Sequence, residues 1–208
     1  MVVKMFKNKE LYEKIKRLHG CIEKLNTDLF EYKQFQLLSQ DINDKFEQIV
    51  QITRNKNIPF VITSKVVYRK DSPFPVQINV FGYIPTDKHS HVPIHRIYSD
   101  VIYKINDFNI VSYIYLKDNI SILPDQGFGS LMMESFLRLL KHMGFNCSVK
   151  GWLSPIDGLD KENDARRRHY YKKFGFDITE DDFVCLDLSK SEKTSDNGKE
   201  KTNDKSII

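Results

Sequence analysis

The sequence predicts an α+β fold: mixed layers in which a mostly antiparallel sheet is flanked by helices, with one or two long helices ahead of it. Three observations carry that prediction. An apolar stripe with heptad spacing occupies the first fifty or so positions. Runs rich in β-branched and aromatic residues follow from residue 58. Strand, helix, strand, helix and strand patterns then alternate up to residue 188.

Taken in order, Leu11, Ile15, Leu18, Ile22, Leu25, Leu29 and Tyr32 alternate spacings of four and three, with mostly Lys, Glu, Asn and Gln between them. That is a heptad seam. It slips at Gln36 and Ser39, and a second stripe begins with Leu38, Ile42, Phe46, Ile49 and Val50. A stutter in one helix and a turn between two antiparallel helices both fit the slip, because no Pro enforces a break and Gly20 is the only Gly. Residues 1–57 are therefore read as a helical arm. Its stripe needs cover, either from the following domain or from a second copy in a homodimer.

Residues 58–188 change character. Pro59-Phe60-Val61-Ile62, Val66-Val67-Tyr68, 76–81, 97–103 and 110–116 read as strands. Asp71-Ser72-Pro73 and Asn106-Asp107 are turn signals, and 89–95 reads as a loop. A helix over 129–143 ends at Gly144, the residue type that most readily takes the left-handed stop. A strand over 146–152, a loop with Pro155, Asp157 and Gly158, a helix over 161–174 and a strand over 183–188 complete the domain. Residues 189–208 are Lys, Ser, Asp, Glu, Thr and Asn with almost no apolar side chains, and are expected to be a disordered polar tail.

Composition narrows the function classes. With 208 residues, 40% hydrophobic and 29% charged, the chain can bury one good core. No uninterrupted apolar stretch is long enough to span a bilayer, and the N-terminus lacks the apolar core of a signal peptide. A cytoplasmic protein is the expectation. Cys21, Cys147 and Cys185 have no paired spacing, so neither a disulfide framework nor a zinc site is expected. His89, His91 and His95 lack a visible fourth ligand and read as solvated loop residues rather than a metal site. The net charge of +4 admits an anionic ligand, while the near balance of charges on the arm argues against nucleic acid.

Two motifs carry chemistry. The first is Gln126-Gly127-Phe128-Gly129-Ser130, a glycine-bearing turn that opens an apolar helix. Its glycines remove side chains where a ligand must approach the backbone. The amides of Gln126 to Leu131 stand at a helix start, where free N–H groups and the positive dipole end favour phosphate. It lacks the lysine of a Walker turn and the third glycine of a dinucleotide fingerprint. The second motif is Tyr171-Lys172-Lys173-Phe174-Gly175-Phe176, closing a helix that carries Arg166, Arg167 and Arg168. A tyrosine one turn from a helix end can aim a protonated hydroxyl into a cleft. Each motif alone also fits an inert turn or an ordinary core aromatic.

Together, in this order and with a strand between them, the two motifs resemble the GNAT superfamily of acyl-CoA N-acyltransferases. That family joins a Gln/Arg-x-x-Gly-x-Gly/Ala turn after a central strand to a later Tyr-x-x-x-Gly-Phe. Here the turn is Pro124-Asp125-Gln126-Gly127-Phe128-Gly129, and the likeness covers about 110–188. The resemblance implies a GNAT-like twisted sheet and acetyl transfer from acetyl-CoA to a primary amine. The amides of Gln126, Gly127, Phe128, Gly129, Ser130 and Leu131 would hold the pyrophosphate. Strand 110–116 would splay from 146–152, with pantetheine in the gap beside Tyr115 and Leu116. Tyr171 would give a proton to the departing thiolate, and the arginines would screen the phosphates. Three positions depart from the pattern. Pro124 replaces the Gln or Arg, Arg167 stands where a small residue is usual, and Tyr170 duplicates the tyrosine, although the Gly-Phe spacing selects Tyr171. For the general base, Asp100, His95 and Asp118 are candidates and none is singled out. The alternative is a coenzyme A-binding domain without turnover, acting as an interaction module through its helical arm.

Overall fold

A computed structural model describes residues 2–70, 74–85, 92–105, 107–154 and 160–190, with 2–11 and 108 as backbone only. Among these residues lie three α-helices: α1 (Val2–Asp44), α2 (Phe128–His142) and α3 (Lys161–Lys173). Eight strands accompany them: β1 (Gln48–Asn55), β2 (Ile58–Tyr68), β3 (Pro75–Tyr83), β4 (His95–Lys104), β5 (Asp107–Ser121), β6 (Ser148–Trp152), β7 (Asp177–Ile178) and β8 (Phe183–Asp187). They form one sheet in the order β1-β2-β3-β4-β5-β6-β8-β7. Every pair is antiparallel except β5 with β6, which α2 connects as a crossover. The fold is a mixed α+β layer structure, as the run of strands followed by alternating elements predicts. No described helix is long and apolar enough to cross a membrane.

The N-terminal arm is one helix, not a hairpin. Its second stripe docks on the sheet: Leu38 and Ile42 are buried with Val61, Phe81 and Tyr83, and Phe35 and Tyr98 close the cluster. Arg54 of β1 pairs with Glu31 at 2.5 Å and ties the helix to the β1–β2 hairpin.

The helical arm was expected to run to residue 57, and this is corrected. α1 stops at Asp44, and Ile49 and Val50 belong to β1 rather than to a helical stripe. The stop is a Schellman motif without glycine. Phe46 takes the left-handed conformation (φ 56°), its N–H donates to Asn43, and the Glu47 N–H donates to the Ile42 carbonyl. The same geometry ends α2 at Gly144 and α3 at Gly175, both at φ 81°, where glycine announces it. β1 then turns into β2 through Lys56 and Asn57, both at positive φ, a two-residue hairpin lacking the usual glycine.

The main core lies between the sheet and α2. Phe128, Met132, Phe136 and Leu140 recur every fourth residue and are fully buried with Met133. They meet Phe60, Ile62, Ile78, Val80, Ile97 and Ile114 from the strands. Each such side chain contributes roughly 1.5–3 kcal/mol by leaving water. Gly82 permits this approach, since a Cβ there would lie 2.4 Å from the Phe60 ring. Of the expected polar tail at 189–208, residues 191–208 lie outside the described residues, and Leu188–Lys190 form one 3-10 turn. The turn signals Asp71-Ser72-Pro73 and Asn106, and the loop residues Pro155, Asp157, Gly158, His89 and His91, also lie outside them.

Candidate functional site

The glycine turn is held from beneath and open above. Gly127 is the N-cap residue of α2 at φ 85°, a conformation that favours glycine, and no side chain caps the helix. The leading amides of α2 therefore have no capping side chain and point out of the helix start. Phe128 is buried against Phe60, with ring centroids 4.7 Å apart, so this residue offers a ligand its backbone only. The Asn55 amide donates to the Gln126 carbonyl at 2.6 Å and clamps the turn from β1. A methyl on Gly129 would only reach ordinary contact with the Tyr170 ring at 3.6 Å, so the fold itself does not demand glycine there. Ser130 and Leu131 are half-buried in the first helical turn.

Two cations stand at this turn. Lys173 donates from Nζ to Ser130 Oγ at 2.8 Å, and Arg166 pairs with Asp125 at 2.6 Å. Of the three arginines expected to screen phosphates, only Arg166 is beside the turn. Arg168 is drawn to Asp164 and Asp182, and Arg167 donates to the Ser154 carbonyl at 3.3 Å. The N-terminus of α3 is capped by Asp160, which accepts from the Glu162 and Asn163 amides.

The two adjacent tyrosines have different partners. The Tyr170 hydroxyl donates to the Gly129 carbonyl at 2.8 Å and accepts from Asn119 Nδ2 at 3.3 Å. Its proton is thus committed to bracing the turn. Tyr171 packs its ring against Phe176 at 5.3 Å and against Tyr170 at 5.4 Å. Burial raises the Tyr171 hydroxyl above the ordinary phenol range, the Asn119 amide and the charge of Arg167 oppose this, and Asp118 adds to it. Tyr171 is protonated at neutral pH, as a proton donor must be. The spacing Tyr-x-x-x-Gly-Phe also has a purely structural account: Phe176 N–H donates to the Tyr171 carbonyl at 3.1 Å, and the two rings make the apolar contact that accompanies a Schellman stop.

The strands fork beside these groups. β5 pairs with β6 from Tyr113 with Ser148 to Leu116 with Gly151, then runs on to Ser121 against β4 alone. Lys117 is the extra residue of a bulge between the Tyr98–Asp118 and Ser99–Leu116 pairs. Gly151 allows the last close pairing, since a Cβ there would meet the Leu116 carbonyl oxygen at 3.2 Å. Tyr115 is half-buried and Leu116 is buried at the end of this pair. Past the fork, Gln77, Asn79, Tyr98, Lys117 and Asp118 line a cleft of about 360 Å³. Asp100 stands next to it, paired with Lys117 at 3.3 Å and bonded by Gln77 at 3.1 Å.

His95, expected in a loop, instead begins β4 and is 1% exposed, packed beside the paired rings of Phe60 and Phe128. Burial lowers its pKa to about 4. Its Nδ1 has no hydrogen-bond partner, and Nε2 lies 3.5 Å from Ser121 Oγ. It is a neutral core residue behind the turn. No group of three metal-binding side chains occurs among the described residues.

Sequence reasoning missed Asn55 and Asn119, and gave Lys173, inside the second motif, no role. Asn55 fell inside the segment read as helix, while Asn119 and Lys173 are polar residues with no periodic signature. No family model matches this chain, and no curated protein matches it.

Proposed function

We propose that the protein is an acyl-CoA-dependent N-acyltransferase of the GNAT type, transferring acetyl from acetyl-CoA to a primary amine. The observation that carries this reading is a conjunction. An uncapped helix start at Gly127 and a parallel strand pair that ends at Leu116 and Gly151 are joined by Tyr170, which bonds both Gly129 and Asn119, and Tyr171 packs beside it. The amides of residues 126–131, with Lys173 and Arg166, suit a pyrophosphate. The free edge of β5 beyond Leu116 offers unpaired backbone groups to an extended pantetheine chain. The amine nitrogen attacks the thioester carbonyl carbon, the C–S bond breaks as the tetrahedral adduct collapses, and the Tyr171 hydroxyl gives its proton to the thiolate. The surplus proton on the adduct nitrogen leaves to solvent, and solvent returns one to the Tyr171 phenolate. The ammonium of the incoming amine must lose a proton first. Asp118 is the carboxylate in the cleft whose charge is felt at Tyr171, and we assign it that proton.

Thermal denaturation with millimolar acetyl-CoA tests the ligand: a raised midpoint is expected, and an unmoved one removes the assignment. Release of coenzyme A thiol with a panel of amines tests turnover. Tyr171→Phe is expected to lower kcat by about a hundredfold or more while the acetyl-CoA shift persists. Tyr170→Phe, which loses the bond to Gly129, is expected to weaken the acetyl-CoA shift instead. An unchanged rate in Tyr171→Phe removes the acid role.

One observation favours a second reading, a coenzyme A-binding module without turnover that works through its arm: the apolar seam of α1 is exposed. A midpoint shift with acetyl-CoA but no thiol release from any amine in the panel would select it.

A further inference from the structure

The first two-thirds of α1 carry a feature the acyltransferase reading does not use. Ile15, Leu18, Ile22, Leu25, Leu29 and Tyr32 are each at least 46% exposed, and every residue from Tyr12 to Phe30 is exposed. The helix therefore projects its heptad seam into solvent, covered by no described part of its own chain. Such a segment is marginal alone, because nucleation is unfavourable, propensity adds little, and Gly20 lies within it.

The seam and the docking stripe occupy different sides of the helix. Leu38, buried on the sheet, lies nine residues beyond Leu29, about two and a half turns at 3.6 residues per turn, hence on the opposite side. The seam also ends where the helix meets the body, for Gln36 and Ser39 take the next two core positions of the heptad. Each stripe thus has its own stretch of helix and its own face.

We propose that this seam is one strand of a parallel two-stranded coiled coil formed with a second copy of the chain. The occupant follows from the pattern. Ile15, Ile22 and Leu29 fall at the a positions and Leu18, Leu25 and Tyr32 at d, and isoleucine at a with leucine at d is the arrangement that favours parallel pairs. The sequence places Asn8 at the preceding a position, a residue type that fixes register and two-strandedness. Charge agrees. In a parallel pair, Asp28 at g faces Lys33 at e of the other copy, twice by symmetry. The two bodies emerge at the same end of the coil, each docked on the outer side of its helix. The dimer does not depend on acetyl transfer.

Light scattering of the full chain at micromolar concentration is expected to give twice the chain mass. Leu25→Asp is expected to give the monomer mass with the thermal midpoint of the body retained. Orientation is read with Leu25→Cys in a Cys21→Ser background. Parallel register sets the two introduced thiols side by side at d, and mild oxidation is expected to convert most of the chain to a disulfide-linked dimer, joined at those thiols in peptic fragments. A wild-type monomer overturns the proposal, as does a trimer, and so does a dimer that persists in Leu25→Asp. A dimer whose introduced thiols do not link overturns the parallel arrangement.

Discussion

The two faces of the sheet are built unlike each other. On the α2 face, a row of side chains at every fourth position closes over the strands, and even a histidine is shut in beside two aromatic rings. On the α1 face, Leu38 and Ile42 cover only Val61, Phe81 and Tyr83, and the neighbouring surface stays open as the cleft lined by Tyr98, Lys117 and Asp118. One face supplies rigidity and carries the glycine turn at its rim. The other leaves polar groups accessible at the point where β5 departs from β6. A site that must hold a ligand firmly and still admit a second reactant gains from that asymmetry.

The largest expected effect tests whether stability is as lopsided as the packing. Phe136→Ala, in the middle of the α2 row, is expected to cost about 3–5 kcal/mol. Ile42→Ala, beside an open cleft into which neighbours can relax, is expected to cost about 2–3 kcal/mol. Urea denaturation of both variants measures this, and equal losses would break the contrast between the faces.

A smaller effect follows from His95. Burial holds its pKa at about 4, against about 6.5 for a free imidazole. The unfolded chain therefore binds more protons between those values, and stability rises with pH across that window. The contribution is fully present above about pH 6.5 and is lost as pH falls towards 4. It amounts to roughly 3 kcal/mol. Urea midpoints at pH 7 and 4.5 should draw apart less in His95→Gln than in the wild type. An identical pH dependence would mean that the α2 face is more hydrated at His95 than its enclosure implies.

The smallest effect sharpens how α1 is attached. The Arg54–Glu31 pair is solvent-facing, so Arg54→Ala is expected to cost less than about 1 kcal/mol. A loss comparable to that of Ile42→Ala would make the ion pair, rather than the apolar stripe, the principal anchor of the helix.

Much of the fold was legible locally. The apolar row of α2 and the glycine stops at Gly144 and Gly175 are written in residues three to five positions apart. The end of α1 was not legible, because Phe46 performs the stop that glycine usually performs, and the β1–β2 turn uses Lys56 and Asn57 for the same reason. At the site, the exposed helix start at Gly127 and the contact of Tyr171 with Phe176 follow from motif spacing. The division of labour between Tyr170 and Tyr171 does not. It depends on Asn119, fifty-one positions before Tyr170, and on the Gly129 carbonyl that the Tyr170 hydroxyl meets.

By itself, then, the sequence determined the alternation of α2, β6, α3 and β8, the stop signals of α2 and α3, and the heptad spacing of the α1 seam. Periodicity and capping act within one or two helical turns, so they can be read without the fold. The clamp of Asn55 on Gln126, across seventy-one positions, was decided only by tertiary structure. So were the fork at Leu116, the cleft around Asp118 and the exposure of the seam. Each depends on how distant segments close on one another, and burial, unlike periodicity, is a property of the assembled chain.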